Sequence, residues 1–203
     1  MFIHWNGSRK KSVLLVSSVI LYSVSSFGLY KFQVEEKEAP FSSNIQTEAS
    51  ENETVYPGIP VSLLIPEIDV RADIQLLGVD ANGKMEVPTN AYDVGWFELG
   101  SRPGEVGSAV IAGHMDSRSG TMGVFANLHK LKEKNILYVQ DNLGTMHIFI
   151  VREIRILGSG FANEVFSNND GSHLNLVTCD GVWDNKNKSY DKRLVVFTDK
   201  LNI

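Results

Sequence analysis

From about residue 59 onward the chain alternates short β-branched and apolar runs with clusters of Gly, Asn, Asp and Pro. Seven runs read as strands: residues 61–65, 74–79, 108–112, 136–140, 146–157, 174–178 and 193–198. The stretches Asp80-Ala81-Asn82-Gly83, Asp141-Asn142-Leu143-Gly144 and Asn168-Asn169-Asp170-Gly171 carry the residue types that tight turns require. Many short strands at a spacing of roughly 8–15 residues predict a mostly antiparallel barrel or sandwich. Only residues 123–131 place apolar side chains at helical intervals, with Val124, Phe125, Leu128 and Leu131, and they predict one short helix.

The N-terminal part has a different texture. Arg9, Lys10 and Lys11 sit together, residues 12–30 contain no charge, and Lys31 closes the run. As a helix that run would span roughly 28 Å, close to the hydrocarbon thickness of a bilayer. Several serines dilute it, and their positions form no helical stripe of the kind a buried core helix shows. The expected organisation is a basic cytoplasmic tail over residues 1–11 and a transmembrane signal-anchor over 12–30, with the chain beyond it outside the cell. A cleaved signal peptide is the alternative: Ser23, Ser25 and Ser26 offer small residues, but no clear A-x-A cleavage pattern is present. Both readings export everything after Lys31. Residues 31–58 hold Glu35, Glu36, Glu38, Glu48, Glu51 and Glu53 among small polar residues and read as an acidic linker. Residues 59–203 remain as one folded domain.

Composition narrows the function. A chain of 203 residues supports one domain with a sizeable core. A net charge of -5 and the absence of a basic stripe with interleaved aromatics argue against nucleic acid as a partner. There is one cysteine, Cys179. Exported proteins usually pair their cysteines, and a lone exported thiol is an oxidation liability that chemistry explains better than packing does. Cys179 ends the strand-like run Leu174-Asn175-Leu176-Val177-Thr178 and precedes Asp180-Gly181, so a rigid element presents it beside an open loop.

A cysteine nucleophile needs a base or a positive neighbour. His4 lies on the wrong side of the expected membrane, His129 in the helical segment, His147 within a strand and His173 in a turn. His114 follows the apolar run Ala109-Val110-Ile111-Ala112-Gly113 and opens a polar loop, the same strand-end placement as Cys179. Arg193 opens the last strand-like run. If the loop over residues 183–192 returns antiparallel beside the cysteine strand, its guanidinium arrives near the thiol and can donate to a developing oxyanion. A free thiol near pKa 8.5 is about 3% ionised at pH 7 and a free imidazole about a quarter charged. Independent titration therefore leaves under about 1% as a thiolate–imidazolium pair, and turnover is expected to be slow unless the site intervenes.

Taken together, several stretches resemble the sortases, cell-surface transpeptidases of Gram-positive bacteria. They are Ile65-Pro66-Glu67-Ile68, Gly78-Val79-Asp80, Met85-Glu86-Val87-Pro88, Val94-Gly95-Trp96, the run from Gly104 to His114, Leu176-Val177-Thr178-Cys179 and Arg193-Leu194-Val195-Val196. The Val-Gly-Trp and Ala-Gly-His-Met-Asp segments look closest to the class D to class F branches. The resemblance implies a closed eight-stranded β-barrel with short helices. It also implies cleavage of an LPxTG-like sorting-signal peptide through a thioester on Cys179. The acyl group would pass to an amine of a peptidoglycan precursor or a pilin. In this scheme His114 moves the proton, Arg193 steadies the substrate carbonyl and Thr178 shapes the substrate site beside the cysteine. No metal and no cofactor is expected. Two other readings stand beside it. An L,D-transpeptidase usually has Gly before its cysteine and Arg two residues after, where this chain has Thr178 and Gly181. A non-catalytic surface-binding module would not need the Cys, His and Arg set.

Overall fold

In a computed structural model of the chain, the structure describes residues 56–116, 120–158, 160, 162–185 and 189–202. The expected cytoplasmic tail, signal-anchor and most of the acidic linker, residues 1–55, lie outside the described residues. Among the described residues no helix is long and apolar enough to cross a membrane.

Among the described residues eight strands form the fold: β1 (Pro60–Ile65), β2 (Val70–Leu77), β3 (Val94–Phe97), β4 (Gly107–Gly113), β5 (Ile136–Asp141), β6 (Met146–Leu157), β7 (Ser172–Asp184) and β8 (Ser189–Lys200), with one short α-helix, α1 (Ala162–Phe166), between β6 and β7. They close in the order β1-β2-β3-β4-β7-β8-β6-β5, the ring being completed by β1 against β5. Closure removes every free sheet edge. Most neighbours are antiparallel, but β2–β3 and β4–β7 are parallel. The β4–β7 pair requires a long crossover, and the chain between them supplies β5, β6 and α1.

Alternation sorts the side chains into two apolar clusters. Leu63 and Ile65 of β1, Leu137 and Val139 of β5, Phe149 of β6, Leu174 and Leu176 of β7 and Val196 of β8 belong to the main core. Each such buried side chain contributes about 1.5–3 kcal/mol relative to exposure. The intervening residues of the same strands face the other way. Val110, Val177, Val195 and Phe197 pack with Leu77, Phe97 and Val165 of α1 in a second cluster on the opposite face of the sheet. That second face carries the candidate site.

Three local features differ from the sequence expectation. Residues 94–97 form a strand whose four residues are all buried, so no alternation marks it, and Gly95 is required because a Cβ there would lie 2.2 Å from a methyl of Leu77. Residues 123–131 are not an α-helix: only Leu128–Lys130 is helical, as a 3₁₀ turn. The start of the segment is held to the loop after β4, with Gly123 N donating to Met115 O at 2.9 Å and Phe125 N to His114 O at 2.9 Å. A Cβ on Gly123 would fall 2.3 Å from the His114 carbonyl. Finally, Pro57 and Gly58, counted with the linker by composition, are tied to the barrel. Pro57 O accepts from Arg102 Nη1 at 2.8 Å, and Gly58 N donates to Asp141 Oδ2 at 2.9 Å.

Asp141 is a buried junction. Its carboxylate accepts from Gly58 N, from Leu143 N at 3.0 Å, from Thr145 N at 2.8 Å and from His147 Nε2 at 3.0 Å. Burial alone would push this carboxyl up, but His147 and the three backbone N–H groups together hold it below the ordinary carboxylate value.

Candidate active site

Strand register brings the three sequence-predicted side chains into one row. Cys179 of β7 is paired with Arg193 of β8. On the other side of β7, the parallel ladder matches Val110 with Asn175 and Ala112 with Val177. Carried forward two residues, that register sets His114, immediately after β4, beside Cys179. The next row along the same face is Ala112–Val177–Val195, and the one after it is Val110–Asn175–Phe197. The reactive row therefore adjoins an apolar row, Ala112, Val177 and Val195.

Two placements differ in detail from the sequence expectation. Cys179 is not at the strand's end, since β7 runs on to Asp184, and Arg193 is the fifth residue of β8, not its first. The open loop expected after the cysteine is instead a hairpin with a shift of register between Asp180 and Trp183. Gly181, at φ 83°, makes that bulge, and Asp191 Oδ1 accepts from Val182 N at 2.7 Å to hold it. Thr178 points away from the reactive face. It is buried, and its hydroxyl donates to Gly113 O at 2.8 Å, pinning the end of β4 that carries His114. In this structure its hydroxyl serves strand placement.

The other described histidines are elsewhere. His147 is bound to Asp141, and His173, a residue of β7, sits between Asp199 and Asp170 at 2.8 and 2.7 Å. His129 is exposed on the 3₁₀ turn. His114 Nε2 lies 2.8 Å from Pro88 O. A carbonyl only accepts, so Nε2 carries the proton and Nδ1 is the nitrogen that can take up or release another.

Arg193 is buried and fixed in orientation. Nη1 donates to Tyr190 O at 2.9 Å and to Lys192 O at 2.7 Å, and Nη2 donates to Ser189 Oγ at 3.1 Å. These bonds hold the guanidinium plane in place before any ligand arrives. Cys179 is half-buried. Burial pushes its thiol above the ordinary value, the Arg193 cation opposes that shift, and the Asp116 carboxylate adds to it. Burial and the Asp116 carboxylate thus favour the neutral thiol over the thiolate. Asp116 is a residue that sequence reasoning did not single out. It accepts a 2.7 Å hydrogen bond from the Tyr190 hydroxyl. Tyr190 in turn packs edge-on against Trp183, with ring centroids 5.2 Å apart. The one available signal was its place two residues after His114; its partner lies far along the chain.

A cavity of about 360 Å³ opens on the same sheet face but beyond the apolar row, lined by Ser108, Arg155, His173, Asn175 and Phe197. It contains none of the three reactive residues.

The family model described as "Sortase domain" matches residues 63–201, which includes every residue of this row. The chain belongs to the sortase family. The L,D-transpeptidase reading falls with that assignment. Among solved structures, sortase A from Corynebacterium diphtheriae is 21% identical with a TM-score of 0.57, covering 72% of this chain and 62% of that one. Sortase C-1 from Actinomyces oris is 24% identical, TM-score 0.56, covering 71% and 76%. Sortase C from Clostridium perfringens SM101 is 20% identical, TM-score 0.54, covering 73% of both chains. The sortase chain thus spans less than two thirds of the first of these relatives. At these identities the likeness concerns the fold, the closed eight-stranded sortase barrel. No curated protein matches the chain.

Proposed function

We propose that this sortase is a membrane-anchored cysteine transpeptidase that cleaves an LPxTG-like sorting peptide and transfers its acyl part to an amine on a peptidoglycan precursor or a pilin. The observation that carries the proposal is the single row of His114, Cys179 and Arg193 on adjacent strands of one face. Cys179 gives its proton to His114 Nδ1 as its sulfur attacks the carbonyl carbon of the scissile Thr–Gly bond. The oxyanion that develops is met by the Arg193 guanidinium, already oriented by its bonds to Ser189, Tyr190 and Lys192. The imidazolium protonates the leaving glycine amine, the C–N bond breaks, and a thioester remains on Cys179. An incoming amine then reverses these steps, and the thiol is restored. Keeping the resting thiol protonated suits an enzyme that works where oxidants are present, because the thiolate is the form that oxidises.

The charge pattern of residues 9–31 supports an uncleaved anchor with the N-terminus in the cytoplasm. The Val94-Gly95-Trp96 and Ala112–Asp116 segments support a place near the class D to class F branches.

The test is mass spectrometry of the chain incubated with threonine-containing sorting peptides without an amine. The expected product is a thioester adduct on Cys179, discharged to a transpeptidation product when an amine is added. Cys179→Ala abolishes both, and His114→Ala loses most of the transfer. Peptide cleavage that persists in Cys179→Ala overturns the mechanism.

A further inference from the structure

In the barrel β7 lies between β4 and β8. Asp116 comes two residues after His114, on the β4 side, and Tyr190 three residues before Arg193, on the β8 side. Their 2.7 Å hydrogen bond therefore reaches across the strand that carries Cys179. Both ends are fixed. Asp116 forms a β-bridge with Met122, and the Tyr190 carbonyl accepts from the Arg193 guanidinium. A carboxylate is thus held beside the reactive row, near enough for its charge to act on the Cys179 thiol. Of the other charged groups nearby, Arg193 is turned to Ser189, Tyr190 and Lys192, and Asp191 holds the hairpin bulge.

An anion in that position hinders the first half of the proposed reaction, because it works against thiolate formation. Its presence makes sense in the second half. There the nucleophile arrives as an ammonium ion, and Arg193 alone would repel it. One hydroxyl donor leaves a carboxylate with further acceptor capacity, since its two oxygens offer about four lone-pair directions.

We propose that Asp116, held by Tyr190, is the recognition group for the acyl acceptor, pairing with the ammonium of a primary amine and delivering it to the Cys179 thioester. The inference rests on the acyl-transfer reading above. In the transfer step the bound ammonium releases one proton to solvent, and its lone pair forms the new N–C bond. The C–S bond breaks, and a second proton passes from the nitrogen through His114 to the departing sulfur. The products are an amide and the free thiol. A neutral nucleophile gains nothing from the carboxylate, so Asp116 would select for cationic amines over water.

The experiment measures how the thioester of the full-length chain partitions between nucleophiles, which makes it independent of how fast the thioester forms. The nucleophiles are water, hydroxylamine (uncharged at neutral pH), glycylglycine amide and Nα-acetyl-lysine amide. In Asp116→Asn the ratio of aminolysis to hydrolysis should fall about tenfold for the two cationic amines and change less than about twofold for hydroxylamine. Added salt should lower the wild-type ratio for cationic amines and leave that of Asp116→Asn flat. Asp116→Glu should retain most of the preference, and Tyr190→Phe should lose part of it. An equal fall for hydroxylamine and the cationic amines, or no fall for any, overturns the assignment. A wild-type chain that forms no thioester overturns the acyl-transfer reading itself, and this inference with it. That result is distinct from a thioester that forms but shows no charge preference.

Discussion

Replacing Asp141 with alanine should cost the protein about 4 kcal/mol of stability, and the figure follows from what its carboxylate holds. Of its four N–H donors, those of Leu143 and Thr145 belong to exposed residues and can turn to water. Those of Gly58 and His147 belong to buried residues. Each buried donor left without an acceptor costs about 1–3 kcal/mol, so the pair gives about 2–6 kcal/mol. Asp141→Asn should cost less, about 1–3 kcal/mol, because its remaining oxygen can still serve the turn while its NH₂ faces the Gly58 N–H. The assay is urea unfolding of the full-length chain at pH 7, followed by far-UV circular dichroism. Its pH dependence carries a sign. The Asp141 carboxyl sits below its ordinary value of 3.8 when folded. Its contribution is therefore complete above that value and is lost as pH falls through the lower folded value. The gap between wild type and Asp141→Asn should close only at acid pH, and should stay level between about pH 5 and 7. A loss under about 1 kcal/mol in Asp141→Ala would refute the reasoning, as would a gap that closes near neutrality.

Two further outcomes follow from the reactive row. Arg193→Lys and Arg193→Ala should each lose about 100- to 1000-fold in peptide transfer, since a flexible ammonium does not reproduce a guanidinium already fixed by three hydrogen bonds. Alkylation of Cys179 across pH separates charge from geometry: its midpoint should rise in Arg193→Ala, which removes the opposing cation, and stay near wild type in Arg193→Lys. Near-full transfer by the lysine variant would reduce Arg193 to a source of charge. Gly181→Ala should destabilise the β7–β8 hairpin by about 1–2 kcal/mol or more, because the backbone is left-handed there and the new Cβ would lie 2.1 Å from Asp191 Oδ1. Thermal unfolding and transfer kinetics of that variant report the stability cost and the disturbance of Tyr190.

What could be read from the chain depended on whether a signal was local. Strands such as β1 and β5 were legible because one face is core and the other is not, so the side chains alternate. Strand β3 was illegible because it is buried on both faces and contains Gly95. Apolar spacing over residues 123–131 suggested a helix, but the hydrogen bonds from Gly123 and Phe125 to the loop after β4 override that spacing. Arg193 could be placed beside Cys179 because a hairpin links them, and the register agrees. The pairing of His114 with that row rests on a parallel contact across a long crossover, which composition does not encode. Thr178 shows the limit of adjacency: a strand turns neighbours to opposite faces, so the residue next to the nucleophile is not on its side of the sheet. The Asp116–Tyr190 contact joins the loop after β4 to the start of β8, residues far apart in the chain, and only the place of Asp116 beside His114 hints at it.

Strand β8 follows β6 and β7 in the chain, yet lies between them in the barrel. During synthesis, His114 therefore emerges first, Cys179 later, and Arg193 only with the strand that fills the remaining gap. Until β8 docks, the sheet is open between β7 and β6, and the thiol has no cation beside it. Pairings between distant segments form late, because the chain must close long loops before they are rewarded. Competence for acyl transfer thus arrives in the same event that seals the barrel. A chain that has not yet added its last strand carries a cysteine but not yet an enzyme.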